Sequence, residues 1–135
     1  MTTNYASTFI AVATDCPVDA PVVPPASAEK PTIASLQYEL IAAHPYELTS
    51  DDVLFAVHAR RAGIPDSALD DERARFFAKD QACLRASPPG KRYGWGTHHD
   101  EQGRVALVGV GTSEYDELVR AEGLEHKTAM RSSRA

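Results

Sequence analysis

The segment TFIAVATDCP, residues 8–17, most constrains the fold of this chain. It is rich in β-branched and apolar residues on both of its alternating faces, which is typical of a strand buried on both sides. We expect it to be an interior strand with a neighbour at each edge. The available partners are RVALVGVG (residues 104–111) and the region of HKTAMRS (residues 126–132). If the latter pairs in the sheet, Met130 should point to the core and Arg131 to the opposite face.

Three helices are predicted after this strand. TIASLQYELIAAHP, residues 32–45, carries apolar residues at helical spacing until Pro45 stops it. TSDDVLFAVHARRAG, residues 49–63, begins with a capping hydroxyl at Thr49 or Ser50 and ends at Gly63, which suits a left-handed C-terminal position. The third helix covers residues 69–79.

The second half of the chain predicts strands at residues 91–99 and 104–111, a helix in TSEYDELVRAEG and a last short strand in LEHKTAMRSSRA. The order β-α-α-α-β-β-α-β predicts an α+β fold with a small, mostly antiparallel sheet packed against helices. We expect residues 1–135 to form a single globular domain. Five prolines between residues 17 and 31 predict a loop of extended character there.

The charge of the chain bears on its partners and its location. The net charge is −5 and the sequence pI is about 5.5, which disfavours nucleic acid and anionic membranes as partners. The N-terminus lacks the charged and apolar regions of a signal peptide, and no stretch has the length of a membrane span. We therefore expect a cytoplasmic protein with Cys16 and Cys83 reduced.

The stretch CLRASPPGKRYGWGTHHDE, residues 83–101, concentrates unusual side chains. It holds the only Trp, and between residues 82 and 99 it has three basic residues and no acid, although the chain is acidic. Aromatic rings beside cations can stack a planar ligand and hold its negative group. We therefore expect a site for an anionic, partly planar small molecule, formed by Arg85, Lys91, Arg92, Tyr93, Trp95 and, from the C-terminal strand, Arg131. The alternative is that the aromatic rings only pack the sheet against a helix.

Two other functions are kept as alternatives. A small enzyme could use His98 or His99 as acid or base, or Cys83 as nucleophile, in the same pocket. A homodimeric interaction protein could use the Pro-rich loop and the Trp95 face. Neighbouring strand residues such as His98 and His99 point to opposite faces, and no metal-binding spacing occurs. No metal and no cofactor are therefore predicted.

Five blocks of sequence carry a resemblance to a known family. They are TTNYASTFIAVATDCP, SLQYEL, PYELTSDDVLF, CLRASPPGKRYGWG and AMRSSRA. Together they resemble a family of small bacterial proteins, common in actinobacteria and bacilli, with no assigned function. The resemblance implies a single-domain cytosolic protein, and it supplies no catalytic residues.

Overall fold

The computed structural model describes residues 2–26 and 31–132. Within these ranges it contains four strands and five helices. They are β1 (Thr8–Ala11), α1 (Ile33–Ala43), α2 (Ser50–Ala62), α3 (Leu69–Phe77), α4 (Pro88–Arg92), β2 (Trp95–His99), β3 (Val105–Gly109), α5 (Ser113–Arg120) and β4 (Glu125–Thr128). Short 3-10 turns cover Asp66–Ala68 and Leu84–Ala86. The predicted α+β class is confirmed.

The strands form one sheet in the order β3-β2-β1-β4. β1 is an interior strand, as its sequence predicts, and the C-terminal strand β4 is one of its neighbours. The expectation that residues 104–111 supply the other neighbour is wrong, because β2 lies between β1 and β3. The sheet is mixed: β2 pairs antiparallel with both β1 and β3, whereas β4 runs parallel to β1.

The predicted strand over residues 91–99 is only half correct. Residues 88–92 form the short helix α4, and the strand begins at Trp95. Pro88 and Pro89 occupy the first helical positions, where a fixed φ favours the helix and no amide donor is lost. Gly94 then turns the chain with a φ of 79°, which glycine adopts at little cost. The order of elements therefore contains one helix more than predicted.

The predicted ends of α2 are confirmed. The hydroxyl of Thr49 accepts a hydrogen bond from the backbone N–H of Asp52 at 3.1 Å, and Gly63 ends the helix with a φ of 67°. Capping hydroxyls and left-handed glycines are local devices that satisfy the free backbone groups at helix ends. They fix where α2 begins and stops, and therefore which of its residues face α1 and the sheet.

The sheet has a core cluster on each face. On one face, β3 packs against α1, α2 and the turn at residue 84, and the buried residues there are Ile41, Val53, Leu84 and Val105. On the other face, Tyr115 of α5 packs on Phe9 and Val108. A Cβ at Gly96 would lie 3.0 Å from both Phe9 and Tyr115, so this glycine allows α5 to sit close to the sheet.

The C-terminal segment departs from its prediction beyond β4. The strand ends at Thr128, so the two-residue alternation does not continue. Ala129 is buried, whereas Met130 is 45% exposed, and the expectation that Met130 points to the core is wrong. Its backbone N–H instead donates to the carbonyl of Arg85 at 2.7 Å.

The Pro-rich loop is partly described by the structure. Residues 17–26 lie outside any helix or strand, as predicted, and residues 27–30 of the predicted loop lie outside the described residues. None of the helices in the described ranges is long and apolar enough to cross a membrane.

Candidate functional site

The aromatic residues of the basic stretch, Tyr93 and Trp95, are half-buried and take part in contacts within the protein. The indole N–H of Trp95 donates to the carbonyl of Val22 at 2.9 Å, and the N–H of Val22 donates to the carbonyl of Tyr93 at 2.9 Å. The Trp95 ring also lies 5.3 Å from the ring of Tyr38 in α1, between centroids. Trp95 and Tyr93 therefore help to hold the Pro-rich loop and α1 against β2.

The basic side chains of the predicted site come from three neighbouring segments, namely the turn at residues 84–86, α4 and the C-terminal segment, and a Cβ at Gly90 of α4 would lie 3.2 Å from that of Ala129. Arg85 donates from Nε to the carbonyl of Thr128 at 2.9 Å, and the bond from Met130 to its own carbonyl brings the neighbouring Arg131 to the same region. Lys91 and Arg92 lie in the last turn of α4. Anion binding by these residues stays a prediction.

Cys83 is paired with a residue that sequence reasoning did not select. Its Sγ lies 3.0 Å from the hydroxyl of Tyr5. Burial, together with the hydrogen bond to Cys83, raises the pKa of Tyr5 to about 12, so this phenol stays protonated at neutral pH. Lys127 Nζ lies 5.7 Å from the centroid of the Tyr5 ring. Cys16 and Cys83 are both free thiols.

His98 and His99 point to opposite faces of β2, as expected for neighbours on a strand. His99 is fully buried, and its Nε2 lies 3.0 Å from the hydroxyl of Thr97. Its Nδ1 has no hydrogen-bond partner in the described structure. Burial lowers the pKa of His99 to about 4, so the ring is neutral at physiological pH.

His98 lies on the other face in a partly exposed position. Its Nδ1 is 2.7 Å from the hydroxyl of Tyr46. Tyr46 has a φ of 58°, which is unusual for a residue other than glycine. Burial lowers the pKa of His98 and raises that of Tyr46. Both groups are thus neutral near pH 7.

A cavity of about 570 Å³ lies elsewhere, between α1, α2, α3 and residues 81–88. Its size suits a small organic ligand. Its walls are mostly apolar, with a few polar groups. The described lining residues are Ile33, Gln37, Leu54, Val57, His58, Arg61, Ala62, Phe76, Gln81, Ala82, Ala86, Ser87 and Pro88.

Helix α2 supplies the longest wall of this cavity. Leu54, Val57, His58 and Arg61 recur at intervals of three and four residues, so they lie on one face of the helix. The His58 ring stacks on Phe76 of α3, with ring centroids 4.7 Å apart and planes inclined by 28°. This stacking holds α3 beside α2 and makes an aromatic surface at the cavity.

Gln37 is the most unusual residue of the lining. It is only 2% exposed, and its Nε2 donates to the hydroxyl of Ser87 at 3.3 Å. The Ser87 hydroxyl gives its own hydrogen to the carbonyl of Cys83 at 3.2 Å. The Gln37 Oε1 has no hydrogen-bond partner among the residues described. A buried amide oxygen thus remains free to accept a hydrogen bond beside the cavity.

The charge at the cavity comes from α2. Arg61 is exposed and has no ion pair within residues 2–26 and 31–132. Of the lining residues that the structure describes, none is acidic. The cavity therefore has one permanent positive charge at an exposed position, while Gln37 and Ser87 are buried.

Comparison with known proteins identifies the family of the chain. The family described as "Family of unknown function (DUF6157)" matches residues 1–135. The chain belongs to this family. The expected resemblance to a family without an assigned function is confirmed, whereas the occurrence of DUF6157 in actinobacteria and bacilli stays a prediction. No curated protein and no solved structure matches the chain.

Sequence reasoning missed the residues that line the cavity of this DUF6157 protein. One signal was available for Gln37. It stands four residues after Ile33 and four before Ile41, on the face of α1 that also carries the buried Ala34. A long polar side chain in an apolar stripe must find a hydrogen-bond partner inside the protein. Arg61 offered no comparable signal, because basic residues are common in the last turn of a helix.

Proposed function

We propose that this protein binds a small, mostly apolar organic molecule in the cavity between α1, α2, α3 and residues 81–88. The observation that carries the proposal is the buried Oε1 of Gln37, which has no partner within the described structure although its residue lines the cavity. An unsatisfied buried polar group of this kind costs about 1–3 kcal/mol. A ligand that donates a hydrogen bond to Oε1 would offset this cost.

The composition of the walls supports the same conclusion. Ligand sites are typically apolar concave surfaces with a few polar groups that fix orientation. Leu54, Val57 and Phe76 supply apolar surface, and Gln37 and Ser87 supply the polar groups. We expect the ligand to place its apolar body against α2 and α3 and one N–H or O–H group toward Gln37.

The candidates from the sequence fit this proposal only in part. A small-molecule binding protein is retained as the function, but the cavity is separate from Arg85, Lys91 and the aromatic rings of the basic stretch. Cys83, His98 and His99 are not among the described lining residues either. The enzyme, the homodimer and the cytoplasmic location stay predictions.

Titration with N-phenylnaphthylamine tests the proposal. This neutral dye fluoresces strongly in apolar surroundings and carries one N–H donor. We expect saturable binding to the full chain, and binding about tenfold weaker in Ala82→Phe, because the new ring fills space that the ligand needs. Ala78→Phe is the matched control: Ala78 is exposed, follows α3 and is not among the lining residues.

The role of Gln37 is tested with the same dye. In Gln37→Leu the acceptor for the dye N–H is gone, so we expect binding to weaken by about threefold to tenfold, the value of one neutral hydrogen bond. Absence of saturable binding, or equal binding by the Ala82→Phe and Ala78→Phe variants, would contradict a ligand site in this cavity.

A further inference from the structure

The charge distribution around the cavity narrows the class of ligand. Among the described lining residues Arg61 is the one that is charged at every physiological pH, and the lining contains no acid there. This is unusual in a chain with 19 acidic and 14 basic residues. A guanidinium group without an ion pair can bind a carboxylate through two parallel hydrogen bonds.

The spacing along α2 sets the length of such a ligand. Leu54 and Arg61 are seven residues apart on one helix face, which corresponds to about 10 Å along the axis. Val57 lies between them and continues the apolar wall. A molecule that packs on Leu54 and Val57 can therefore reach the Arg61 side chain with a terminal charged group.

His58 adds a second donor near this end of the wall. It lies three residues before Arg61, on the same face of α2, and its ring stacks on Phe76. The backbone itself opposes an anion here, because the C-terminal end of a helix carries partial negative charge. The preference for an anion therefore depends on the Arg61 side chain and not on the helix.

We propose that the natural ligand is an amphipathic monocarboxylate, with an apolar and partly planar body about 10 Å long. Its carboxylate binds Arg61, its body packs on Leu54, Val57 and Phe76, and a donor group on the body reaches Gln37. This inference rests on the proposed function, since it assigns a ligand class to the same cavity.

The test compares two probes that share one apolar body and differ in the terminal group. Phenylbutyrate carries a carboxylate, and phenylbutanamide has the same body with a neutral amide. We expect phenylbutyrate to displace N-phenylnaphthylamine at about twofold to fivefold lower concentration than the amide, which is the size of a contact with an exposed charge. In Arg61→Gln the two probes should become equal.

Arg60→Gln is the matched control. Arg60 is the preceding residue and is exposed, and its substitution removes the same charge, but it lines a separate depression between α1 and α2. This variant should keep most of the preference for phenylbutyrate. If Arg60→Gln and Arg61→Gln abolish the preference equally, a general positive field acts instead of a contact, and the inference is wrong.

The remaining outcomes separate the two proposals. If the dye binds but the acid and the amide displace it equally, or neither displaces it, the monocarboxylate is wrong and the cavity remains a site for another class of ligand. If the dye itself does not bind, the proposed function fails and the inference fails with it.

Discussion

Gln37 and His99 are both buried residues with a polar atom that lacks a hydrogen-bond partner within the described structure, but their surroundings differ. Each is buried and lies within hydrogen-bonding distance of a neighbouring hydroxyl, that of Ser87 or Thr97, and each keeps one polar atom without a partner in the residues described. Gln37 lines the cavity, whereas His99 lies inside the sheet opposite Val105 and against the ring of Tyr5. Gln37 therefore lies beside open space, where we propose that a ligand binds, whereas the burial of His99 disfavours its charged form.

Acidification should reveal the largest difference between the two residues. The pKa of His99 is lowered from 6.5 to about 4 by burial, so the unfolded chain binds this proton more readily than the folded one. His99 therefore does not lower the free energy of unfolding above pH 6.5. As the pH falls from 6.5 toward 4, protonation of His99 in the unfolded chain lowers this free energy by about 3 kcal/mol in total. Gln37 does not titrate and contributes nothing to this change.

Urea unfolding of His99→Gln across this pH range provides the measurement. The variant should be less stable than the natural chain at neutral pH, and the difference should shrink toward pH 4 because glutamine does not titrate. The exposed His44 gives the control: His44→Gln should leave most of the pH dependence in place. Parallel stability curves for the natural chain and His99→Gln would show that His99 is not protected from protonation.

Removal of the hydroxyl beside His99 or beside Gln37 should change stability less, and it compares the two residues more directly. In Thr97→Val, the buried His99 ring loses its described hydrogen-bond partner, and we expect a loss of about 1–3 kcal/mol in unfolding free energy. In Ser87→Ala, a water molecule from the cavity can occupy the space of the lost hydroxyl and accept a hydrogen bond from Nε2 of Gln37, so we expect a loss of about 1 kcal/mol or less.

Denaturant midpoints of the two variants at neutral pH decide this comparison. Ser87→Ala removes a second hydrogen bond as well, from the hydroxyl to the Cys83 carbonyl, which works against the expected order. The same substitution in a Gln37→Leu background measures the contribution of the Cys83 bond alone. If Ser87→Ala still costs more than Thr97→Val after that contribution is subtracted, the cavity does not relieve the Gln37 amide. This result would also weaken the case that a ligand replaces water there.

The parts of the fold that sequence predicts well depend on local patterns. β1 is apolar on both faces and is an interior strand, and α2 begins at the capping Thr49 and ends at Gly63. The helix α4 was not predicted, because the strand was expected to begin at residue 91. Two prolines at its start favour a helix instead.

The candidate site could not be derived in the same way. Its walls come from three helices and the segment at residues 81–88, so its existence depends on how those elements pack together. The basic stretch was conspicuous in sequence because its residues are close along the chain. The structure uses Trp95 to bind the Pro-rich loop through the Val22 carbonyl, a contact between residues 73 positions apart that no local pattern indicates.

We expect the smallest effect on stability for Gln37→Leu. This variant also tests most directly how Gln37 differs from His99. Leucine removes the unsatisfied oxygen, and the hydrogen bond that is lost is long, at 3.3 Å from Nε2 to the Ser87 hydroxyl. The Ser87 hydroxyl keeps its bond to Cys83. We expect the unfolding free energy to stay within about 1 kcal/mol of the natural value, or to rise, since apolar replacement of a poorly satisfied polar group is close to neutral.

The combination of this small change with weaker dye binding would distinguish a binding role from a structural one. Replacement of a residue that serves only folding should lower the stability of the protein. Replacement of a residue that serves ligand binding should lower the affinity for the ligand instead. Thermal unfolding and dye titration on the same sample of Gln37→Leu measure both quantities. A loss of more than about 2 kcal/mol would place Gln37 with His99 as a structural residue, and its free oxygen would no longer argue for a ligand.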